Sequence, residues 1–345
     1  MIRRPPRSTQ GVSSAASDVY KRQNLEDLMP YEVKTPITQA MEEGVITRKE
    51  LKSLMVRSNS PAFVRLFFWI CLLILTSSLI YFSYDTWLLI PAMFLQGVVI
   101  VHHFSLQHEC CHYTAFKTRK LNDIFGHLCG FSIMLPNQHF RYEHCDHHTY
   151  TQLKGKDPEL IELPISVYKY IWYISAFPYW KNKFSEIYLH ILGRLSDEEK
   201  KFIPKLEQKT IFREARMMVS LYSLLILGSF YLNFWGLFWY WWLPVILGEP
   251  VMRAIRLTEH VGRPNTDDLK ENTRSSIVSI PMKFLCWNMN YHAEHHYASS
   301  IPFHALPKLH KKLKGYIFIE ERGYLGAHID IISQLIGRKP RSDAS

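Results

Sequence analysis

The chain carries no disulfide framework. Its six cysteines stand singly or beside histidines, Cys110, Cys111 and Cys145 among them, a usage that suits a reducing compartment. It has no His-Pro-Gly-Gly segment, no Gly-rich dinucleotide fingerprint and no cysteine set spaced for an iron–sulfur cluster, so no electron carrier of those kinds is encoded. No cleavable signal-peptide pattern is visible. No aromatic-basic nucleic-acid motif accompanies the net charge of +10, which therefore reads as contact with a membrane surface or an acidic partner protein, not with nucleic acid. Charge is also scarce wherever the chain is most apolar. A mean hydropathy of −0.11 averages two greasy blocks with a polar, charged remainder.

Met1 to Gln23 is set aside before any reasoning about fold. It resembles translated sequencing-adapter read-through, and such segments are excluded openly. It holds a net +4, leaving +6 for the other 322 residues. Residues 24–61 form a polar segment, expected to be cytoplasmic and helical, in which Thr47-Arg48-Lys49-Glu50 is a capping box opening a short helix that ends near Arg57. A membrane domain is expected over 62–313, and a cytoplasmic C-terminal tail over 314–345.

Phe63 to Phe82 is 20 residues with one charge, Arg65, long enough to cross a bilayer core of about 30 Å. Trp87 to about Val101 is the returning span, and the link Ser83-Tyr84-Asp85-Thr86 has no Lys or Arg. A second pair runs Met217–Leu232 and about Phe234–Leu247, and its tryptophans suit an interface belt. Essentially all Lys and Arg lie in the other segments, so these and both termini are expected in the cytoplasm. The fold expected is all-α and integral to the membrane, four transmembrane helices in two hairpins under a cytoplasmic helical cap. A soluble protein with two buried hairpins is the alternative. Leu121–Leu135 and Val167–Trp180, apolar but interrupted, read as helices lying in the interface.

Histidine then dominates the reading. His144-Cys145-Asp146-His147-His148 and His292-Ala293-Glu294-His295-His296 repeat one HxxHH pattern. Residues three and four apart share a helix face, so each run is expected to point three imidazoles at one place. His108 and His112 add two by the same spacing, and His260 follows the fourth span. All nine can converge at the cytoplasmic face. Nine imidazoles exceed one four-coordinate zinc site and would hold two metals with positions open for a small molecule. Imidazole also suits zinc, copper and nickel, but iron is the ion for which open sites mean oxygen chemistry.

At these residues the chain resembles the membrane fatty acid desaturases and their hydroxylase relatives. The resemblance covers most of Pro91 to Leu313, through HxxxH, HxxHH with Thr149 and Asp157-Pro158 following, Asn288-Met289-Asn290-Tyr291 before the last box, and Ile301–His310 after it. It implies two Fe in a di-iron centre, O2 as co-substrate, and ligands His108, His112, His144, His147, His148, His260, His292, His295 and His296. It implies an oxidoreductase that introduces a double bond into a lipid-bound acyl chain or acyl thioester, with hydroxylation of a lipid or small apolar metabolite as the alternative outcome. Electrons would come from a ferredoxin, rubredoxin or cytochrome b5-like donor, docking on Lys308, Lys311, Lys312 and Lys314. A multi-pass protein of a bacterial inner membrane is expected. Tyr297-Ala298-Ser299 replaces the Leu-Phe-Pro common in acyl-lipid desaturases, and Arg256 lies where some relatives have an amide side chain.

Glu109, Asp146, Glu259 and Glu294, beside or near these histidines, are expected to hydrogen-bond their outer ring nitrogens and fix the tautomer. The other eight, His102, His103, His127, His139, His190, His304, His310 and His328, are taken as structural, with His139 expected to line the site. Two rivals remain. His108–His112 spells HExxH, the zinc metalloprotease pattern with Glu as base, although this leaves both HxxHH runs unused. A metal transporter would need ionisable groups at mid-membrane, and the four spans have almost none.

Overall fold

The computed structural model describes residues 36–337, so Met1 to Gln23 and the end of the C-terminal segment lie outside the described residues. The chain is built of helices, with one two-residue parallel strand pair. Two short helices, α1 (Pro36–Glu42) and α2 (Arg48–Leu54), open the described part. The Thr47 capping box forms as expected, with Glu50 accepting from the Thr47 backbone at 2.9 Å. The helix stops at Leu54, three residues short of Arg57.

The long helix α3 (Ser60–Ser83) carries proline in its first turn, where the missing N–H costs nothing, and reverses through Asp85 at φ +64°. Returning α4 (Leu89–Val101) bends at His102 and runs on as α5 (His103–Cys111). Among the described residues, Ser60–Ser83 and Leu89–Cys111 are long and apolar enough to cross a membrane. Only 17% of the most apolar window of α3 is buried, and Phe67, Phe68, Ile70, Ile74, Leu75 and Phe82 face outward. A soluble hairpin would bury that stripe, and an exposed patch of this kind marks contact with lipid or a partner.

Helices α6 (Arg119–Ser132) and α7 (Asn137–Tyr150) follow. The apolar run expected at Val167–Trp180 is two helices, α8 (Val167–Ile174) and α9 (Phe177–Ile191). Ala176 at φ +64° breaks it, and Pro178 opens the second. After the single turn α10 (Glu199–Phe202), helix α11 (Gln208–Tyr231) starts nine residues before the apolar run expected from Met217. A π-helical stretch, Phe238–Trp242, then feeds straight into α12 (Leu243–His260), so His260 is the last residue of a helix rather than part of a following loop.

Helices α4 and α12 cross at backbone contact. A Cβ built on Gly97 would sit 1.9 Å from the Pro244 carbonyl oxygen, and one on Gly248 would sit 2.3 Å from the Gly97 carbonyl carbon. Small residues permit such approaches where lipid gives no hydrophobic push between helices. Pro244 also lacks an N–H, which frees the Tyr240 carbonyl four residues back. The Gln96 amide donates to it at 3.2 Å and to Ser77 Oγ at 3.1 Å, while Thr76 donates to the Gln96 carbonyl. One side chain therefore ties α3, α4 and the π-helical stretch.

The rest of the chain closes the cap with α13 (Leu269–Asn272), β1 (Ser275–Ser276), α14 (Ile280–Leu285), α15 (His292–Tyr297), α16 (Leu306–Leu313), β2 (Ile319–Glu320) and α17 (Gly323–Leu335). Strand β2 pairs with β1 in the register Ser275 opposite Ile319. The N-terminal segment packs through Ala40 of α1 and Ile46 of the following link onto Tyr291, Leu306, Leu309 and Leu313, so it braces the last histidine run together with α16. Replacing Gly97 or Gly248 with leucine should destabilise the fold by at least the roughly 1–3 kcal/mol typical of overpacking, seen as a lower thermal midpoint in detergent. Gly228→Leu in α11, where an added Cβ meets nothing within 4 Å, should leave the midpoint unchanged.

Candidate metal centre

The structure brings all nine singled-out histidines together, in two adjoining groups. His108, His112, His144, His148 and His295 form one; His147, His260, His292 and His296 form the other, with the ligand atoms of each group within 4.8 Å of one another. Eight of the nine are buried and His148 is partly so. The expectation that each HxxHH run points three imidazoles at one place is therefore corrected. His144 and His148 serve the first group while His147 serves the second; His292 and His296 serve the second while His295 serves the first. The reason is angular. Positions four apart on a helix nearly eclipse, whereas neighbouring positions stand about 100° apart at 3.6 residues per turn, so each run straddles two centres. The groups abut where His148 and His296 stack at 4.1 Å between ring centroids.

The ring nitrogens meet in an arrangement hydrogen bonds do not explain. His144 and His148 oppose Nε2 to Nε2 at 3.0 Å, His148 and His295 at 3.1 Å, His260 and His292 at 2.9 Å, and His292 and His296 at 3.1 Å. The outer nitrogens determine which of these carry protons. His144 donates from Nδ1 to Glu159 at 2.7 Å and His147 from Nδ1 to Asp157 at 2.8 Å. Each then presents an Nε2 lone pair inward. His108 has no partner at either nitrogen, and His112 and His147 have none at Nε2. Buried polar atoms left unpaired cost about 1–3 kcal/mol each. A cation accepting the lone pairs relieves that cost, so the donor set fits a metal.

Electrostatics keeps most of these rings neutral, the form that binds metal. Burial, then neighbouring histidines, holds His144, His148, His260, His292, His295 and His296 well below the ordinary histidine pKa. His147 differs. Burial opposes its charge, but the carboxylates of Asp157 and Glu159 outweigh that and raise its pKa.

The acids expected beside the ligands are mostly turned elsewhere. Glu109 accepts from the Thr114 hydroxyl at 2.7 Å and the Phe303 N–H at 3.2 Å. Glu294 is bonded by Ser275 and His310. Asp146 forms no hydrogen bond to a histidine ring; burial, then the Asp157 charge, lifts its carboxyl to about 6. Only Glu259 comes near, 3.9 Å from His292 Nδ1, while bonded at 2.6 Å by Arg256. A residue next to a ligand in a helix points off the ligand's face, which is why adjacency misled. The acids that do the work lie in the fold-back after α7, where Gln152 (φ +65°) and Gly155 (φ +75°) turn the chain. Asp157 there also accepts the Gln152 and Glu159 N–H groups at 2.8 and 2.9 Å. Arg256 clamps Glu159 from α12, which links Arg256, Glu159 and His144 in one chain. Asp157-Pro158 was the available signal, conspicuous in the sequence but without a role until the turn is seen.

A family model described as fatty acid desaturase matches residues 85–324. The chain belongs to the fatty acid desaturase family. It is similar to the sn-1 oleoyl-lipid 12-desaturase of Picosynechococcus sp., 22% identical over 248 residues, covering 66% of this chain and 70% of the relative. The sn-1 acyl-lipid omega-3 desaturase (ferredoxin) of Nostoc sp. is 34% identical over 86 residues, a quarter of either protein (25% and 24%). The omega-3 fatty acid desaturase, endoplasmic reticulum, of Nicotiana tabacum is 28% identical over 101 residues, 29% of this chain and 27% of the relative.

Within this desaturase-family chain most of the remaining histidines have other partners. His102 bonds the Val98 carbonyl, His103 bonds Ser132 and His328 bonds Tyr170. His139, expected to line the centre, does not join either group; it pairs with Glu199 at 3.1 Å. Removing the true ring partners should loosen whatever metal the centre holds. Asp157→Asn and Glu159→Gln are each expected to weaken metal affinity by roughly 10–100-fold, measured by competition with a chelator, whereas Asp146→Asn should not change it.

Proposed function

We propose that the chain is a membrane-bound, O2-dependent di-iron desaturase that introduces a double bond into a lipid-linked acyl chain. The observation that carries this reading is the pair of adjoining groups of five and four imidazoles, eight of the nine buried. Five nitrogens in one group exceed the four that a zinc site takes. The relatives' names supply the substrate class, a lipid-bound acyl chain.

Two irons bound by the nine histidines would supply activation of dioxygen with two external electrons and removal of hydrogen from an unactivated C–H bond. The protein's own part is positional. Asp157 and Glu159 hold His147 and His144 with their Nε2 atoms inward, and Arg256 steadies Glu159. Phe140 stacks on His144 at 5.1 Å and Phe104 lies 6.1 Å from His108, giving the centre an apolar wall. That wall continues through Val101, Val245 and Met252 along α4 and α12. An acyl chain would enter from the bilayer along this side, and the wall would keep water from the reacting carbons.

The same reading gives α11 and the stretch from the π helix into α12 the role of a second membrane hairpin, with both ends of the chain and the centre on the cytoplasmic side. The outward apolar side chains of α11, among them Leu221, Leu224, Leu227 and Phe230, support this. Lys308, Lys311 and Lys314 are exposed on and just after α16, and Lys312 pairs with Glu50 at 2.6 Å; this basic face suits an acidic electron donor such as a ferredoxin. The protease reading loses its base, because Glu109 faces Thr114 and the Phe303 backbone rather than a metal.

Elemental analysis of the detergent-purified protein should find close to two irons per chain, and one zinc without iron would overturn the assignment. In a host supplied with oxygen, lipid profiling should show a new double bond, and hydroxylated lipid instead would redirect the reading to a hydroxylase. Changing His144, His147 or His148 to alanine should abolish that product and lower bound iron.

A further inference from the structure

A third group of metal-type ligands stands apart from the nine histidines. His139, in the first turn of α7, His190, in the last turn of α9, and Glu199, opening α10, place one ligand atom each within 4.8 Å of the others. They come from positions 60 and 9 residues from Glu199, so folding rather than local sequence assembles them. Both imidazoles aim Nε2 at the same oxygen, Glu199 Oε1, at 3.1 Å from His139 and 2.6 Å from His190. The other oxygen of Glu199 is fixed by the Ser196 N–H at 2.7 Å. Behind His139, Glu186 Oε1 lies 3.5 Å from Nδ1 and is itself held by Lys183 at 3.0 Å. A carboxylate behind a ligating histidine is the usual way to fix its tautomer. Leu195, Phe202, Ile203 and Phe212 form an apolar jacket.

Neutral hydrogen bonding accounts poorly for this arrangement. If both rings donated from Nε2 to Glu199, both Nδ1 atoms would be buried lone pairs, His190 Nδ1 with no partner and His139 Nδ1 facing the Glu186 carboxylate. A cation at the point where the two Nε2 atoms and Oε1 meet reverses this. His139 Nδ1 then carries the proton and donates toward Glu186, leaving His190 Nδ1 alone unpaired. Two histidines and one carboxylate with a fourth position open is a zinc donor set.

We propose that His139, His190 and Glu199 form a third, separate site for a divalent ion of the zinc class, which fastens α7, α9 and α10 together. Because α7 carries His144, His147 and His148, the ion would brace the helix that feeds both groups of the main centre. It takes no ligand from either group.

The test uses the full chain in detergent, loaded with Zn2+ and desalted, with metal counted by elemental analysis. Wild type should retain one equivalent more than His190→Gln and than Glu199→Gln. His148→Ala should keep that equivalent while losing metal from the main centre. Added Zn2+ should raise the thermal midpoint of wild type and His148→Ala but not of the two site variants. Equal zinc content in wild type and the folded site variants would overturn the proposal and leave an ion pair between an imidazolium and its carboxylates. Should neither site variant fold, wild type decides. After loading with two equivalents of Fe2+, binding of one further equivalent of Co2+ with tetrahedral ligand-field absorption supports the site, and failure to bind a third equivalent of metal overturns it.

Discussion

Nine imidazoles buried together offer more inward lone pairs than the protein has donors to meet them, and the rest of the structure depends on that imbalance. A protein core rejects unpaired polar atoms, so such a cluster persists only if something positive completes it. The fold does not supply that charge from within. Arg256, a buried cation beside the cluster, spends its guanidinium on Glu159 and Glu259. Burial meanwhile suppresses protonation of most of the rings. The cluster is thus kept electron-rich and neutral, which is the state a metal requires and an empty core would not tolerate.

Bringing the ligands to one level is a problem of helix length. The α4–α12 crossing at Gly97 and Gly248 is the shared origin. From it His108 lies eleven residues along one helix path and His260 twelve along the other, roughly 16 and 18 Å at 1.5 Å per residue. Both arms therefore deliver histidine at nearly the same height above the crossing. The two HxxHH runs arrive from elsewhere, α7 after the turn at Pro136 and α15 out of the strand-paired segment that carries Ser275. Pro244 serves the same crossing twice, since its carbonyl meets Gly97 and its missing N–H frees the Tyr240 carbonyl for Gln96. Residues that look like helix breakers are here the means of close packing.

Much of this was legible in the sequence, and the failures share a cause. The histidine runs, the capping box at Thr47 and the apolar length of α3 depend on spacing within a few residues, which helix periodicity fixes. The carboxylate partners were missed because Asp157 and Glu159 reach back to His147 and His144 through a left-handed turn at Gln152, a contact no periodicity encodes. Adjacent acids were favoured in their place, although neighbours on a helix diverge by about 100°. The same divergence split each HxxHH run between two groups. His139, read as structural but expected to line the main centre, does not reach it. Five residues before His144 it stands more than a full turn away, on a face that looks toward α9 and α10.

The two kinds of ligand group differ in how they handle charge, and the difference fits different duties. The main centre draws only on imidazole, with the carboxylates of Glu159 and Asp157 held back on the outer ring nitrogens of His144 and His147. Under the proposed function, changes in metal charge during electron uptake would then be felt across many rings rather than neutralised by one direct anion. At the third group the carboxylate of Glu199 stands among the ligand atoms, where it would offset the charge of a bound divalent ion directly. Placing the anion directly at one group and at one remove at the other would separate holding a helix from the proposed redox chemistry, although both groups take histidine from α7.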